Sequence, residues 1–252
     1  MNFKEFDYEF DLNGYYVLKK LISKKIVNKI NYKLTKIENL KFNELPHNVF
    51  FGKKKNNKDA YISNILEIGK EFEDLALNPV ILKIMKRVTL GMFRLNHAVS
   101  MTKYKKKTFT PLHMGNLPMH PKIFYMIKNG KIFSNVTKVV FPICNNKKID
   151  GGFAVIPGSH KSNFIRPQNS DPKNNYKLLK YIDASPGDAI IFTESLAHGS
   201  LVNYSNNIRR ILSYCYSVGY MPDWTKFNLS YSEKYKKEAS KKIKKLIKLT
   251  KD

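Results

Sequence analysis

Cysteine is almost missing from this chain of 252 residues: Cys144 and Cys215 stand far apart and form no CxxC pair. A disulfide framework is excluded, and a reducing, cytoplasmic setting is expected. Long apolar runs are missing too. None approaches the roughly 20 residues that cross a bilayer, and the stretch Met1 to Asp7 mixes acids with apolar residues where a secretion signal would have an apolar centre. Arginine is the third scarcity. Of 45 basic residues, five are arginine (Arg87, Arg94, Arg166, Arg209, Arg210), so 45 − 5 leaves 40 lysines. The net charge of +25 invites a nucleic-acid reading. Dedicated phosphate and base readers, however, lean on arginine's planar fork, and these lysines are spread through asparagine-rich loops such as 53–58 and 145–148. A solvated surface is the expectation, with nucleic acid disfavoured and an anionic small-molecule substrate compatible with the charge.

What is present suffices for a core: 42% of residues are apolar and 13% aromatic. Residues 1–20 read as an extended lead-in, with Asn13-Gly14 as a turn before a short strand at Tyr15 to Leu18. Ser23 is placed to cap a helix running to Ile37, whose Ile26, Val27, Ile30, Leu34 and Ile37 recur at helical spacing. Residues 41–63 read as loop, and a second helix fits Ile65 to Leu77. A third opens at Asn78-Pro79, with proline in the first helical position. After Gly91 the texture changes to short β-rich runs: Met92 to Tyr104, Asn135 to Cys144, Phe153 to Ile156, Ala189 to Phe192 and Ile211 to Val218. Turns such as Asn129-Gly130, Asp150-Gly151-Gly152 and Pro186-Gly187 separate them, which predicts an antiparallel sandwich or barrel. A lysine-rich amphipathic helix is expected from Ser230 on, with Ala239, Ile243, Leu246 and Ile247 on one face.

The chemistry centres on Gly187 to Ser200. Turn residues lead into the buried run Ala189-Ile190-Ile191-Phe192, which delivers His198 at its far end. Gly199 beside it lets another group come close. His113, in Phe109-Thr110-Pro111-Leu112-His113-Met114-Gly115, also ends a short apolar run. Two imidazoles at strand ends are suited to a late first-row metal. Arg209, eleven residues after His198, offers a carboxylate clamp. Arg210 points to the opposite face by strand alternation and reads as a surface or ion-pair residue. His160, in the Pro157-Gly158-Ser159-His160 turn, reads as structural.

The segments Gly151-Gly152-Phe153-Ala154-Val155-Ile156-Pro157-Gly158-Ser159-His160-Lys161, Gly187-Asp188 through His198-Gly199-Ser200, Asn203-Tyr204-Ser205 and Arg209 together resemble the phytanoyl-CoA dioxygenase family of iron- and 2-oxoglutarate-dependent oxygenases. The resemblance covers roughly residues 8–220. It implies a double-stranded β-helix, a jelly roll with flanking helices, over residues 1–224, followed by the lysine-rich helical tail 225–252. It also implies Fe(II) and 2-oxoglutarate as cofactors. His113 and His198 become the iron ligands, Arg209 the partner of the 2-oxoglutarate carboxylate, and Ser200 a neighbour in the same cofactor site. Hydroxylation of an aliphatic C–H is the implied reaction.

One departure matters. Where the family has an aspartate two residues after the first histidine, this chain has Gly115. Three arrangements stand open. The site resembles that of iron-dependent halogenases, in which chloride or bromide takes the vacated position. Alternatively, a carboxylate arrives from elsewhere, Glu194 or Asp150. In the third, water completes the shell or the site is degenerate. The rival from another class is a non-catalytic jelly roll that uses its charge to bind a polyanion.

Overall fold

The structure is a computed structural model and describes residues 1–46, 49, 51–52, 59–104, 109–114, 122–164, 177–222 and 231–248. Gly115, His47, His120, Arg166 and the lysines at 105–107 lie outside the described residues. The first correction comes at the start of the chain. Residues expected to be extended form helix α1 (Phe3–Asn13). The Asn2 side chain accepts from the N–H groups of Lys4 and Glu5, and Gly14 closes the helix at φ +81°, its N–H donating to the Phe10 carbonyl. The pair that reads as a hairpin turn is thus a left-handed helix C-terminus. The cause is Phe6 and Phe10, one helical turn apart, which stack on each other and are fully buried.

Strand β1 (Tyr15–Leu18) follows, then α2 (Lys24–Glu38), capped by Ser23 and burying Val27, Ile30, Leu34 and Ile37 as its spacing predicts, whereas Ile26, at the edge of that face, is exposed. Short strands β2 (Phe51–Gly52) and β3 (Ala60–Ile62) interrupt the expected loop. The helix expected over 65–77 is divided: a 3-10 turn at Ile65–Ile68, then α3 (Lys70–Ala76) after Gly69. Helix α4 (Pro79–Val88) is capped by Asn78. The β region comprises β4 (Phe93–Lys103), β5 (Tyr125–Lys128), β6 (Lys131–Ser134), β7 (Val136–Cys144), β8 (Phe153–Val155), β9 (Lys180–Tyr181), β10 (Ala189–Thr193), β11 (His198–Ser200) and β12 (Arg209–Val218). The tail forms two helices rather than one, α5 (Glu233–Glu238) and α6 (Lys241–Ile247), because the chain extends at Ala239 and Ser240 restarts the helix as a cap.

These strands build a jelly roll. The large sheet runs β1-β10-β7-β12-β4-β3-β2, all neighbours antiparallel. A smaller sheet, β11-β8-β9, faces it, and β5-β6 form a hairpin through Asn129-Gly130. Strand alternation gives the large sheet two buried faces. Val139, Phe141, Ile191, Leu212, Tyr214 and Tyr216 point to the helices and pack with Phe6, Ile30, Leu34, Ile81 and Ile243. Val140, Ile190, Phe192 and Ile211 point inward and pack on Phe153 and Val155 of the small sheet. Roughly 25 cal/mol per Å² of apolar surface removed from water drives both layers together. Their interior is where the site lies.

Candidate metal centre

Residue 113 meets residue 198 through the backbone. The His113 N–H donates to the His198 carbonyl, and the His198 N–H returns the bond to the His113 carbonyl, each at 3.1 Å. The rings stand 4.0 Å apart between centroids. Gly199 makes the approach possible: a Cβ there would lie 2.6 Å from the Thr110 carbonyl oxygen and 3.1 Å from that of Pro111. Each imidazole is also oriented by its own chain. His113 Nδ1 lies 2.9 Å from the Pro111 oxygen and His198 Nδ1 lies 2.7 Å from the Leu196 oxygen. A carbonyl only accepts, so Nδ1 carries the hydrogen in both rings and Nε2 presents its lone pair. Burial, then the neighbouring His113 and Lys138, hold the His198 pKa well below the usual histidine value, which keeps that ring neutral.

Glu194 completes the cluster. It follows β10 directly, and its side chain is 1% exposed. Oε1 accepts from the Lys138 ammonium at 2.8 Å. Oε2 is buried with no hydrogen-bond partner and lies 3.9 Å from His198 Nε2. An orphaned buried oxygen costs about 1–3 kcal/mol unless something pairs with it, and a cation between it and the two Nε2 atoms would do so. Ligand atoms of His113, Glu194 and His198 all lie within 4.8 Å of one another. Donors about 2.1 Å from a common ion sit at most about 4.2 Å apart, so a small side-chain rotation closes the set. Two imidazoles and one carboxylate suit ferrous iron. Asp150, the other carboxylate considered, is held elsewhere by Asn207 and Lys147.

A cavity of about 390 Å³ runs from these three residues toward Arg209. Ser200, Thr110, Lys103, Phe153, Phe192 and Ile211 also line it. Arg209 is 3% exposed; among the described residues its hydrogen bond is Nε to Asn146 Oδ1, at 3.4 Å. Burial lowers its pKa to about 10, so the guanidinium keeps its charge at neutral pH. Ser200 Oγ accepts from the Thr110 N–H at 2.7 Å, which leaves its hydroxyl hydrogen free to donate into the same cavity. Lys103 stands opposite Arg209 across the strands and bonds the Phe109 carbonyl.

Arg210 faces the other way, as alternation predicts, but it is a buried residue and not a surface one. It pairs with Glu38 and bonds Thr102 Oγ1 at 3.0 Å. His160 is structural: Nε2 donates to the Asp11 carbonyl at 3.1 Å and the ring packs edge-on against Tyr125. Sequence reasoning missed Lys138 and His97, both of which line the cavity. His97 is neutral, its pKa pushed down to about 3 by burial and then by Lys138. The available signal was a lysine in phase with the inward-facing Val140 on an otherwise apolar strand.

The family model described as Phytanoyl-CoA dioxygenase (PhyH) matches residues 10–211. The chain belongs to the phytanoyl-CoA dioxygenase family. A 66-residue segment is 38% identical to "Dioxygenase cnsJ" of Penicillium expansum, and it spans 25% of this chain and 18% of the length of that enzyme. The fold is similar to HygX from Streptomyces hygroscopicus, solved with nickel and 2-oxoglutarate bound: TM-score 0.74 and 18% identity over 89% of this chain and 90% of that one. It is also similar to SnoN, the non-heme alpha ketoglutarate dependent epimerase from nogalamycin biosynthesis, with TM-score 0.64 and 13% identity over 89% and 87% of the two chains. These likenesses establish the jelly roll of this family member. No helix among the described residues is long and apolar enough to cross a membrane.

Proposed function

We propose that the protein is a non-haem Fe(II)- and 2-oxoglutarate-dependent oxygenase that hydroxylates an aliphatic C–H of a small molecule. The observation that carries this reading is the pairing of two features in the lining of one cavity: three convergent ligand atoms and a buried arginine. His113 and His198 hold the metal through Nε2, and Glu194 Oε2 takes the place of the aspartate that Gly115 replaces. Arg209 receives the distal carboxylate of 2-oxoglutarate, where a planar fork makes two parallel hydrogen bonds, with the Ser200 hydroxyl donating a third. Iron and 2-oxoglutarate, when bound, supply oxidative decarboxylation of the keto-acid by oxygen and the power to convert C–H to C–OH. The protein fixes the two imidazoles by their Nδ1–H bonds, keeps His198 neutral by burial, and excludes water with Phe153, Phe192 and Ile211. A small, polar substrate agrees with the cavity's cationic lining and with the hygromycin B bound in one HygX structure.

Glu194 favours hydroxylation over halogenation, because its buried Oε2 occupies the side of His198 Nε2 where a free halide would otherwise balance the charge. The test is anaerobic titration with Fe(II) and 2-oxoglutarate, following the visible charge-transfer absorption of the chelate, with and without chloride. The expected band is indifferent to chloride, absent in His198→Ala and weakened in Glu194→Gln. A band that needs chloride and survives Glu194→Gln would make the protein a halogenase instead. No band in any form of the protein would overturn the metal reading.

A further inference from the structure

Lys138 is the one unusual residue of β7 that the proposed reaction does not use. Its neighbours along the strand are Val136, Thr137, Val139, Val140, Phe141 and Pro142. It sits in the middle of the large sheet, in register with Phe192 of β10 on one side and Cys215 of β12 on the other. Its side chain is 15% exposed and points into the cavity beside Glu194, His97 and His198. A buried ion pair gains little stability over an apolar pair of the same shape, because desolvation consumes most of the attraction. Stability alone is therefore a weak reason for a lysine at this position.

The geometry of the pair gives a better one. The ammonium engages a single carboxylate oxygen, Oε1, at 2.8 Å. The second oxygen is left without a hydrogen bond and directed to the His198 side, 3.9 Å from Nε2. Here one oxygen is anchored from a rigid central strand while the other is presented. Backbone fixes Glu194 as well, through its N–H to the Val136 carbonyl at 2.9 Å. So the carboxylate is held at both ends of its side chain.

We propose that Lys138 is a positioning residue that turns Glu194 into the third metal ligand, replacing from β7 and β10 the carboxylate that Gly115 removed from the segment after His113. This rests on the iron-binding reading above. The lysine touches neither metal nor substrate; it fixes the side-chain rotation of Glu194 so that Oε2 meets the ion. Partners of this kind beyond the ligands are worth about 10–100-fold in metal affinity when removed.

The test uses Co(II), whose ligand-field absorption reports coordination without turnover, on the full chain. Lys138→Met and Lys138→Gln are both made, and whichever folds by circular dichroism is read. The expected result is Co(II) binding weakened at least tenfold, with a spectrum shifted toward that of Glu194→Gln. Lys138→Arg, which keeps a donor for Oε1, recovers most of the affinity. In a Glu194→Gln background the Lys138 substitution changes nothing further. Wild-type affinity and spectrum in the Lys138 variants, alongside a weakened Glu194→Gln, would overturn the positioning role and leave the metal site standing. Failure of the wild type to bind Co(II), or binding that His198→Ala does not reduce, would instead overturn the metal reading itself.

Discussion

Replacing Arg209 by glutamine removes the fork from the inner end of the cavity while leaving the strand intact. The magnitude follows from the surroundings. The guanidinium is buried, with a long bond to Asn146 among the described residues, and it lines the cavity where the proposed keto-acid would lie. Two charge-assisted hydrogen bonds to a carboxylate contribute about 1.5–3 kcal/mol each at most, and an overall loss of about 3 kcal/mol is on the order of 100-fold in affinity. Glutamine also relieves a buried cation, so thermal stability holds or rises. Arg210→Gln is the internal control, one residue along and on the other face. It strands Glu38, whose side chain is 2% exposed. Breaking a buried pair costs about 3–5 kcal/mol, which in a chain of this size lowers Tm by on the order of 10 °C. The assay is anaerobic 2-oxoglutarate titration of the Fe(II)-loaded protein, with thermal melts of both variants. Keto-acid affinity in Arg209→Gln within threefold of wild type refutes the clamp. A melting loss equal to that of Arg210→Gln refutes the division of labour between the two arginines.

Other perturbations test other parts of the fold. In Gly199→Ala the new Cβ meets backbone oxygens of Thr110 and Pro111, which cannot rotate away; a loss of about 1–3 kcal/mol is expected from the overpacking, together with weaker Co(II) binding, and an unchanged melt refutes the close approach. His97 and His160 are held neutral with pKa values lowered to about 3 and about 4. Since unfolded histidine titrates near 6.5, the unfolded chain binds more protons below that pH. Stability is therefore full above about pH 6.5 and falls toward pH 4 by about 1.4 kcal/mol per pH unit for each ring. Urea unfolding at pH 7.5, 6 and 5 reads the slope, and His160→Gln should flatten its part. Ile243→Ala, at a fully buried position of α6, should cost about 2–5 kcal/mol; less than 1 kcal/mol on denaturant unfolding would place that helix outside the core.

Much of this was legible in the sequence because local rules and tertiary context agreed. Ser23 and Asn78 cap the helices they announce. The alternation of Arg209 and Arg210 sent one inward and one outward, and Gly199 marked a close backbone approach. Elsewhere a local pattern had two solutions. Asn13-Gly14 is equally a turn or a helix end, and only the burial of Phe6 against Phe10 decides between them. Arg210 reads as a surface or ion-pair residue, and only α2, which brings Glu38, Asn31 and Thr35 over it, decides for a buried ion pair. Lys138 was invisible for a statistical reason with a physical root: among 40 lysines, one that works inside the protein looks like the rest until strand phase shows which way it points. Glu194 could be named from sequence as a nearby carboxylate, but the vacancy of Oε2 is a fact of packing.

The reciprocal backbone bonds between residues 113 and 198 have a kinetic consequence. The peptide groups that carry the two imidazoles are tied to each other, and each ring is oriented by its own Nδ1–H bond to a carbonyl. A metal ion held by both rings would in turn bridge that seam, so amide deuterium uptake at these two positions should slow sharply once the centre is loaded. Iron in this protein would behave as a stitch that holds the fabric closed.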